Sequence, residues 1–282
     1  MRQYISIIAI AWLSLAYSYA QNEKHLVVLH VNDTHSRIEP MPANATRNAD
    51  KGGQARLAAY VESVRDEHKS VLFFHAGDIV QGTPYFNMFK GEPEIALLNR
   101  MKVDAACLGN HEFDYGYPVL KEIIKQAKFP FVASNFDFSA TPLKGMTKPY
   151  LILKRNGVKI GILGLGPELD GLVAKQNYAG TVFLPPIETA NKVAAFLKQQ
   201  KKCDLVICLS HLGYSSTVKD NDILLAQQSR NIDLIIGGHS HTFLEKPDRQ
   251  RNLDGKEVVI SQMGGSGIHA GRLDVSLNQV KQ

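Results

Sequence analysis

The stretch Leu26-Val27-Val28-Leu29-His30-Val31-Asn32-Asp33-Thr34-His35 is an apolar run that ends on two residues able to bind a metal, Asp33 and His35. A run this continuous, without polar alternation, predicts a strand covered on both faces and therefore an α/β layered fold. The same pattern repeats outward along the chain. Strands are predicted at 26–32, 70–76, 103–108, 130–134, 150–154, 158–164, 204–209, 232–236, 257–262 and 271–277. Amphipathic stretches at 53–68, 92–101, 117–127, 187–200 and 220–229 predict helices between them, several opened by Pro or by a Gly pair. Arg155-Asn156-Gly157 is a hairpin signal. Part of the sheet is thus expected to be antiparallel, which argues against a purely doubly wound fold. Without an internal repeat or an interdomain linker, one domain is expected from about residue 24 to 278.

Five of the predicted strands run directly into polar residues, where an open α/β sheet places its functional loops. The first delivers Asp33 and His35, and Val71 to Ala76 delivers Gly77-Asp78. Val103 to Leu108 leads to Gly109-Asn110-His111-Glu112, Leu205 to Ser210 to His211, and Leu234 to Gly238 to His239-Ser240-His241. Each fragment alone is weak, because Asp-x-His is a common tripeptide and an Asn-His pair is often a turn. In order after five strands they form a consistent set of candidate ligands: Asp33, His35, Asp78, Asn110, His211, His239 and His241. Imidazoles mixed with carboxylates and an amide suit borderline divalent ions such as Mn, Fe, Co or Zn, whereas Mg or Ca sites are nearly all oxygen. One catalytic ion takes three to five protein ligands, so the set points to two ions sharing a carboxylate. Asp78, between Gly77 and Gly82, is the natural bridge, since glycines permit a sharp turn close to the metals. His25, His30, His68, His75 and His269 are read as structural, with His75, three residues before Asp78, the exception that could support a ligand.

The 282 residues are 44% apolar and 21% charged, close to globular averages, which excludes disorder, collagen-like repeats and coiled coil. The net charge of +5 is spread along the chain and argues only weakly for nucleic acid, so none is expected as a partner. Cys107, Cys203 and Cys208 are too few for a disulfide framework and are read as small buried hydrophobes. Cys203 and Cys208 are expected on opposite sides of one strand. Residues 1–20 read as a signal peptide: Arg2, an apolar run from Ile5 to Tyr17, then Ser18-Tyr19-Ala20 with cleavage expected before Gln21. The run is too short to span a bilayer, and no later segment is long and apolar enough, so a periplasmic or secreted protein without a membrane span is expected.

Asp33-x-His35, Gly77-Asp78-x-x-x-Gly82, Gly109-Asn110-His111-Glu112, His211 and Gly238-His239-x-His241 resemble the five blocks of the calcineurin-like metallophosphoesterases. Asn110-His111-Glu112-Phe113-Asp114, Gly52-Gly53-Gln54-Ala55-Arg56 and Val132-Ala133-Ser134-Asn135 further resemble the catalytic domain of the 5′-nucleotidase and UDP-sugar hydrolase group. The resemblance implies a single-domain, four-layer α-β-β-α sandwich with mixed sheets over residues 21–282. It implies two divalent ions per chain, one held by Asp33, His35, Asp78 and His241 and the other by Asp78, Asn110, His211 and His239. It also implies a catalytic pair, His111 and Asp114. In agreement, His111 has no ligand role in the count, and Asp114 follows at a distance suited to orienting an imidazole. Glu112 is read as holding its loop rather than the nucleophilic water.

The activity so implied is release of phosphate from monoesters, nucleotides above all, by a metal-activated water. Relatives in this group carry a C-terminal nucleotide-recognition domain, which is expected to be absent here; a separate chain could supply it. Two alternatives remain: a phosphodiester or pyrophosphate hydrolase of the cyclic-nucleotide or UDP-sugar type, and a non-catalytic metal-binding protein. The chain lacks a Gly-x-x-x-x-Gly-Lys phosphate loop, and Gly238-His239-Ser240-His241-Thr242 lacks the last glycine of a serine nucleophile elbow.

Overall fold

The computed structural model describes residues 24–215 and 219–277; the signal peptide expected over 1–20 lies outside the described residues. In chain order the elements are β1 (Lys24–Val31), α1 (Gln54–Glu67), β2 (Val71–His75), α2 (Pro84–Phe89), α3 (Glu92–Arg100), β3 (Ala105–Cys107) and α4 (Gly116–Gln126). Then come β4 (Phe131–Val132), β5 (Phe136–Asp137), β6 (Leu151–Arg155), β7 (Val158–Leu165), β8 (Val182–Phe183), α5 (Pro186–Ala195) and β9 (Leu205–Ser210). The chain closes with α6 (Asp222–Gln228), β10 (Leu234–Ile236), β11 (Asp248–Arg251), β12 (Glu257–Ser261) and β13 (Gly271–Leu277).

Two mixed sheets carry the fold. The first has the order β13-β1-β2-β3-β4, parallel except for β13; the second runs β11-β12-β10-β9-β7-β6, parallel within and antiparallel at both edges. Alternation along β1 explains the layering. Val27, Leu29 and Val31 pack under α1, α3 and α4, while Leu26 and Val28 face the second sheet. Leu205, Ile207 and Leu209 of β9 meet them in that middle core, and Val206 and Cys208 point to the far side, against α5 and α6. Three apolar cores separate four layers, α-β-β-α, in one domain, as the resemblance implies. Asn156-Gly157 makes the expected hairpin turn between β6 and β7, with φ of 47° and 70°.

The differences from expectation have physical causes. Asp248-Arg249-Gln250-Arg251 forms edge strand β11 although it contains no apolar residue, so hydrophobic patterning gives no sign of it. β5, β8 and the six-residue α2 are too short for a periodic signal. The helix expected over 187–200 runs as α-helix to Ala195 and then widens into a π turn over Phe196–Gln200. Cys203 lies just before β9, and it packs in the same core as Cys208 instead of facing the other side. The strand alternation that separates them starts only at Leu205. All three cysteines are buried free thiols. Among the described residues no helix is long and apolar enough to cross a membrane.

Candidate metal centre

The ends of β1, β2, β3, β9 and β10 meet at one edge of the two sheets and bring Asp33, His35, Asp78, His211, His239 and His241 together, with Asn110 buried in the chain between Gly109 and His111, which both adjoin Asp78. Asp33 and Asp78 are the buried anions of the cluster, at 0% and 2% exposure. Around Asp33 lie His35 and His241, with Nε2 atoms 3.8 and 3.3 Å from its Oδ1. Around Asp78, His211 Nε2 is 2.9 Å and His35 Nε2 4.0 Å from Oδ2, so this carboxylate stands between the two histidines. Ligand atoms within 4.8 Å of one another define the groups Asp33–His35–His241 and Asp78–His211–His239, and a third, His35–Asp78–His111.

The backbone at the site is unusual. Asp33, His35, Asp78, His239 and His241 all have left-handed φ, between 49° and 73°. Non-glycine residues occupy this region at a cost and need surrounding contacts to hold them there. Asn32, which the sequence reading passed over, provides some of these: its Nδ2 donates to Asp33 Oδ2 and to Gly264 O, both at 2.6 Å, and its Oδ1 accepts from Met263 N–H at 2.9 Å. Asp33 in turn accepts the His239 N–H at 3.0 Å. Glu112 is fully buried and accepts three amide protons, from Gly109 at 2.6 Å, Ile79 at 2.7 Å and Asp78 at 3.1 Å. It ties the β2 and β3 loops together, the loop-holding role expected of it. Burial, with Asp78 adding to it, pushes its pKa up to about 7 against the pull of these amides.

Gly109 lets these groups converge. A Cβ there would lie 2.2 Å from Asp78 Oδ1 and 2.7 Å from His211 Nε2. Gly77, at φ 83°, makes the turn into Asp78 and lies against His211 on the other side.

Three features of this arrangement fit a cation. His211 Nδ1 bonds to Ala76 O at 2.6 Å, which leaves Nε2 as the atom directed at the carboxylates. Asn110 Oδ1 is buried without a hydrogen-bond partner, and His211 Nε2, 2.9 Å from Asp78 Oδ2, makes no well-aligned hydrogen bond to it. Burial opposes a charge on His211, yet Asp78 and Asp33 outweigh it and push its pKa up to about 10. In the same field, burial is outweighed by His211 at Asp78, whose pKa is held below the usual carboxylate range. Two buried carboxylates therefore demand positive charge at this point.

His111 lies beside this cluster. Its N–H donates to Asp78 Oδ1 at 3.0 Å, its ring is 5.2 Å from that of His35, and its Nδ1 is 2.7 Å from Asp114 Oδ2. The bond to Asp114 raises its pKa despite burial. Asp114 is itself fixed through its carbonyl, which accepts from Asn177 Nδ2 at 2.7 Å. His75 reaches the centre only through Thr34, with Nε2 2.9 Å from Oγ1, and burial lowers its pKa to about 3. His30 bonds to Ser261 at 2.9 Å between the sheets, and His68 and His269 sit on Arg272 and Phe243.

Comparison with known proteins identifies the family. The calcineurin-like phosphoesterase family matches residues 26–243. Protein 5NUC of Lutzomyia longipalpis is 33% identical over 93% of this chain and 47% of its own length. The snake venom 5′-nucleotidase of Crotalus adamanteus is 29% identical over 95% of this chain and 48% of its own. Among solved structures, the 5′-nucleotidase precursor of Thermus thermophilus superposes with a TM-score of 0.82 at 34% identity, covering 89% of this chain and 51% of that one. The chain thus spans about half the length of the relatives it matches. With the five strand-end blocks brought to one place in a shared fold, the chain belongs to the calcineurin-like phosphoesterases.

Proposed function

We propose that this chain is an exported phosphohydrolase that releases phosphate from phosphate monoesters, nucleotides among them, at a centre of two divalent ions. The observation that carries the reading is a cluster of seven candidate donors that includes two buried carboxylates, with a partnerless buried oxygen on Asn110. Asp33, His35 and His241, with Asp78, would hold one ion; His211, His239 and Asn110, again with Asp78, would hold the other. Asp78 would be shared by both, because its carboxylate stands between His35 and His211. Ions bound there supply Lewis-acid activation of a water and neutralise charge on the phosphoryl oxygens. The mixed nitrogen and oxygen donors favour Mn, Zn, Fe or Co.

His111 and Asp114 complete the machinery from the protein side. With Nδ1 engaged by Asp114, Nε2 of His111 is left to donate to a phosphoryl or leaving-group oxygen. The bond to Asp114 raises the pKa of the ring and so favours its protonated, donating form. A cavity of about 970 Å³ adjoins His239, walled by Pro167, Leu172, Phe183, Ile187 and Leu253, and has room for a nucleoside-sized leaving group. Export is supported by the apolar leader at residues 5–17 with its small-residue cleavage signal, and by the venom relative.

The test is elemental analysis of the purified chain together with a phosphate-release panel. AMP, ribose 5-phosphate, bis-p-nitrophenyl phosphate and UDP-glucose separate the reaction classes. The expected result is about two divalent ions per chain and faster release from the monoesters. Full metal content without phosphate release, or a preference for the diester or the pyrophosphate, overturns the reading. The ratio of AMP to ribose 5-phosphate then measures how much the base contributes.

A further inference from the structure

A sixth strand end reaches the centre. Gln262 follows β12 directly and is fully buried, and no motif in the sequence singles it out. Its Nε2 donates to Gly238 O at 2.7 Å, while its Oε1 accepts from Thr242 N–H at 2.5 Å and from Ser240 Oγ at 2.9 Å. The orientation of the amide is forced, because a carbonyl oxygen must face the NH₂ and an N–H must face the oxygen. One side chain thus spans both ends of the turn Gly238–Thr242. Ser240 is held further by the Tyr214 N–H, which donates to its Oγ at 3.0 Å.

That turn contains His239 and His241, with φ of 73° and 50°. Two strained non-glycine residues so close together persist only where contacts over-determine them. The two side chains also go to different groups, His241 with Asp33 and His35, His239 with Asp78 and His211. The distance between the two halves of the centre therefore depends on the shape of this turn, which Gln262 clamps.

We infer that Gln262 is a positioning residue that sets the spacing of His239 and His241, and through them of both metal ions. This rests on the dinuclear reading above. Groups that orient metal ligands from behind are worth about 10- to 100-fold in metal affinity. An amide clamping one turn that serves both ions acts on both binding steps.

The test titrates Mn²⁺ into metal-stripped chain by calorimetry and records the exchange-coupled electron paramagnetic resonance signal of a Mn pair. Gln262→Met keeps the side-chain length and removes the strong hydrogen bonds. The expected result is a folded protein, by circular dichroism, in which both Mn²⁺ steps weaken tenfold or more and the coupled signal is lost or altered. Two Mn²⁺ bound with parental affinity and an unchanged coupled signal overturn the inference while leaving the dinuclear reading intact. A parental chain that never binds a second Mn²⁺ overturns the dinuclear reading itself. Should Gln262→Met not fold, Gln262→Asn carries the comparison: it keeps a buried amide but is a methylene too short to reach both ends of the turn. Loss of fold in both variants overturns positioning in favour of a purely structural role.

Discussion

Replacing Gly109 by alanine is expected to disable the centre while sparing the fold. The added Cβ would lie 2.2 Å from Asp78 Oδ1, 2.7 Å from His211 Nε2 and 2.8 Å from the Asp78 amide nitrogen. Relief to ordinary contact requires a displacement of about 1 Å, and the neighbours cannot yield freely. The amide is bound to Glu112, the carboxylate to the His111 N–H, and His211 to Ala76 O. The backbone of Gly109 is outside the left-handed region, so alanine adds volume without conformational strain. Overpacking of this kind costs about 1–3 kcal/mol, but a 1 Å error in a catalytic constellation costs about 10²-fold in rate. Gly109→Ala should thus keep its circular dichroism spectrum, lose some thermal stability, hold less than two metal ions by elemental analysis and release phosphate at least about a hundredfold more slowly. Gly171→Ala is the control. No atom lies within 4 Å of its Cβ position, and its φ of 80° exacts backbone strain alone, so it should cost about 1 kcal/mol and no activity. The reasoning is refuted if Gly109→Ala binds two ions and works within threefold of the parent.

Asp78→Ala should bring metal content toward zero and remove activity, since on the proposed reading the carboxylate between His35 and His211 would serve both ions; two ions retained per chain would show that it is not the bridge. His111→Ala is expected to keep both ions and slow the reaction by roughly 10²- to 10⁴-fold, with Asp114→Asn milder. Loss of metal with full specific activity in the remaining loaded enzyme would make His111 a ligand instead, as its nearness to His35 and Asp78 allows. Asp222 lies fully buried against Ser210 Oγ, and burial raises its pKa from 3.8 to about 7. The folded state holds this proton after the unfolded chain has lost it, so its contribution to stability falls by on the order of 4 kcal/mol between about pH 4 and pH 7. Urea unfolding of metal-stripped Asp222→Asn across that range should show a correspondingly flatter pH dependence than the parent, and parallel curves would refute the assignment.

What was legible in the sequence follows from where hydrophobic patterning is strong. Strands buried on both faces, such as β1, β7 and β9, are long apolar runs, and their chemistry stands immediately after them. Asp33, Asp78, Asn110, His211 and His239 could therefore be placed at one sheet edge without coordinates. β11 could not be read, because an edge strand of four polar residues satisfies its backbone on one side and water on the other. Cys203 was misplaced by one further limit: alternation predicts faces only within a strand, and it stands outside one.

The supporting residues were hidden for a different reason. Asn32 and Gln262 have ordinary side chains, and their roles depend on backbone groups distant in sequence, Gly264 for Asn32 and Gly238 for Gln262; Glu112 was legible as a loop-holding residue only because it stands inside the Asn110-His111-Glu112 block, and its partner Ile79 was not. Left-handed backbone at five of the seven candidate ligands also has no signature in residue type, since Asp and His are common in many other conformations. The two facts are linked. Loops that turn sharply enough to aim five ligands inward are strained, and a strained loop holds one shape only if its amides and carbonyls are bound by buried polar groups. A metal centre built on such loops therefore needs a set of acceptors and donors that never touch the metal. Substitution of those groups should disturb metal binding before it disturbs the fold, because the three apolar cores that hold the sheets together are built mostly from strand and helix residues outside these loops.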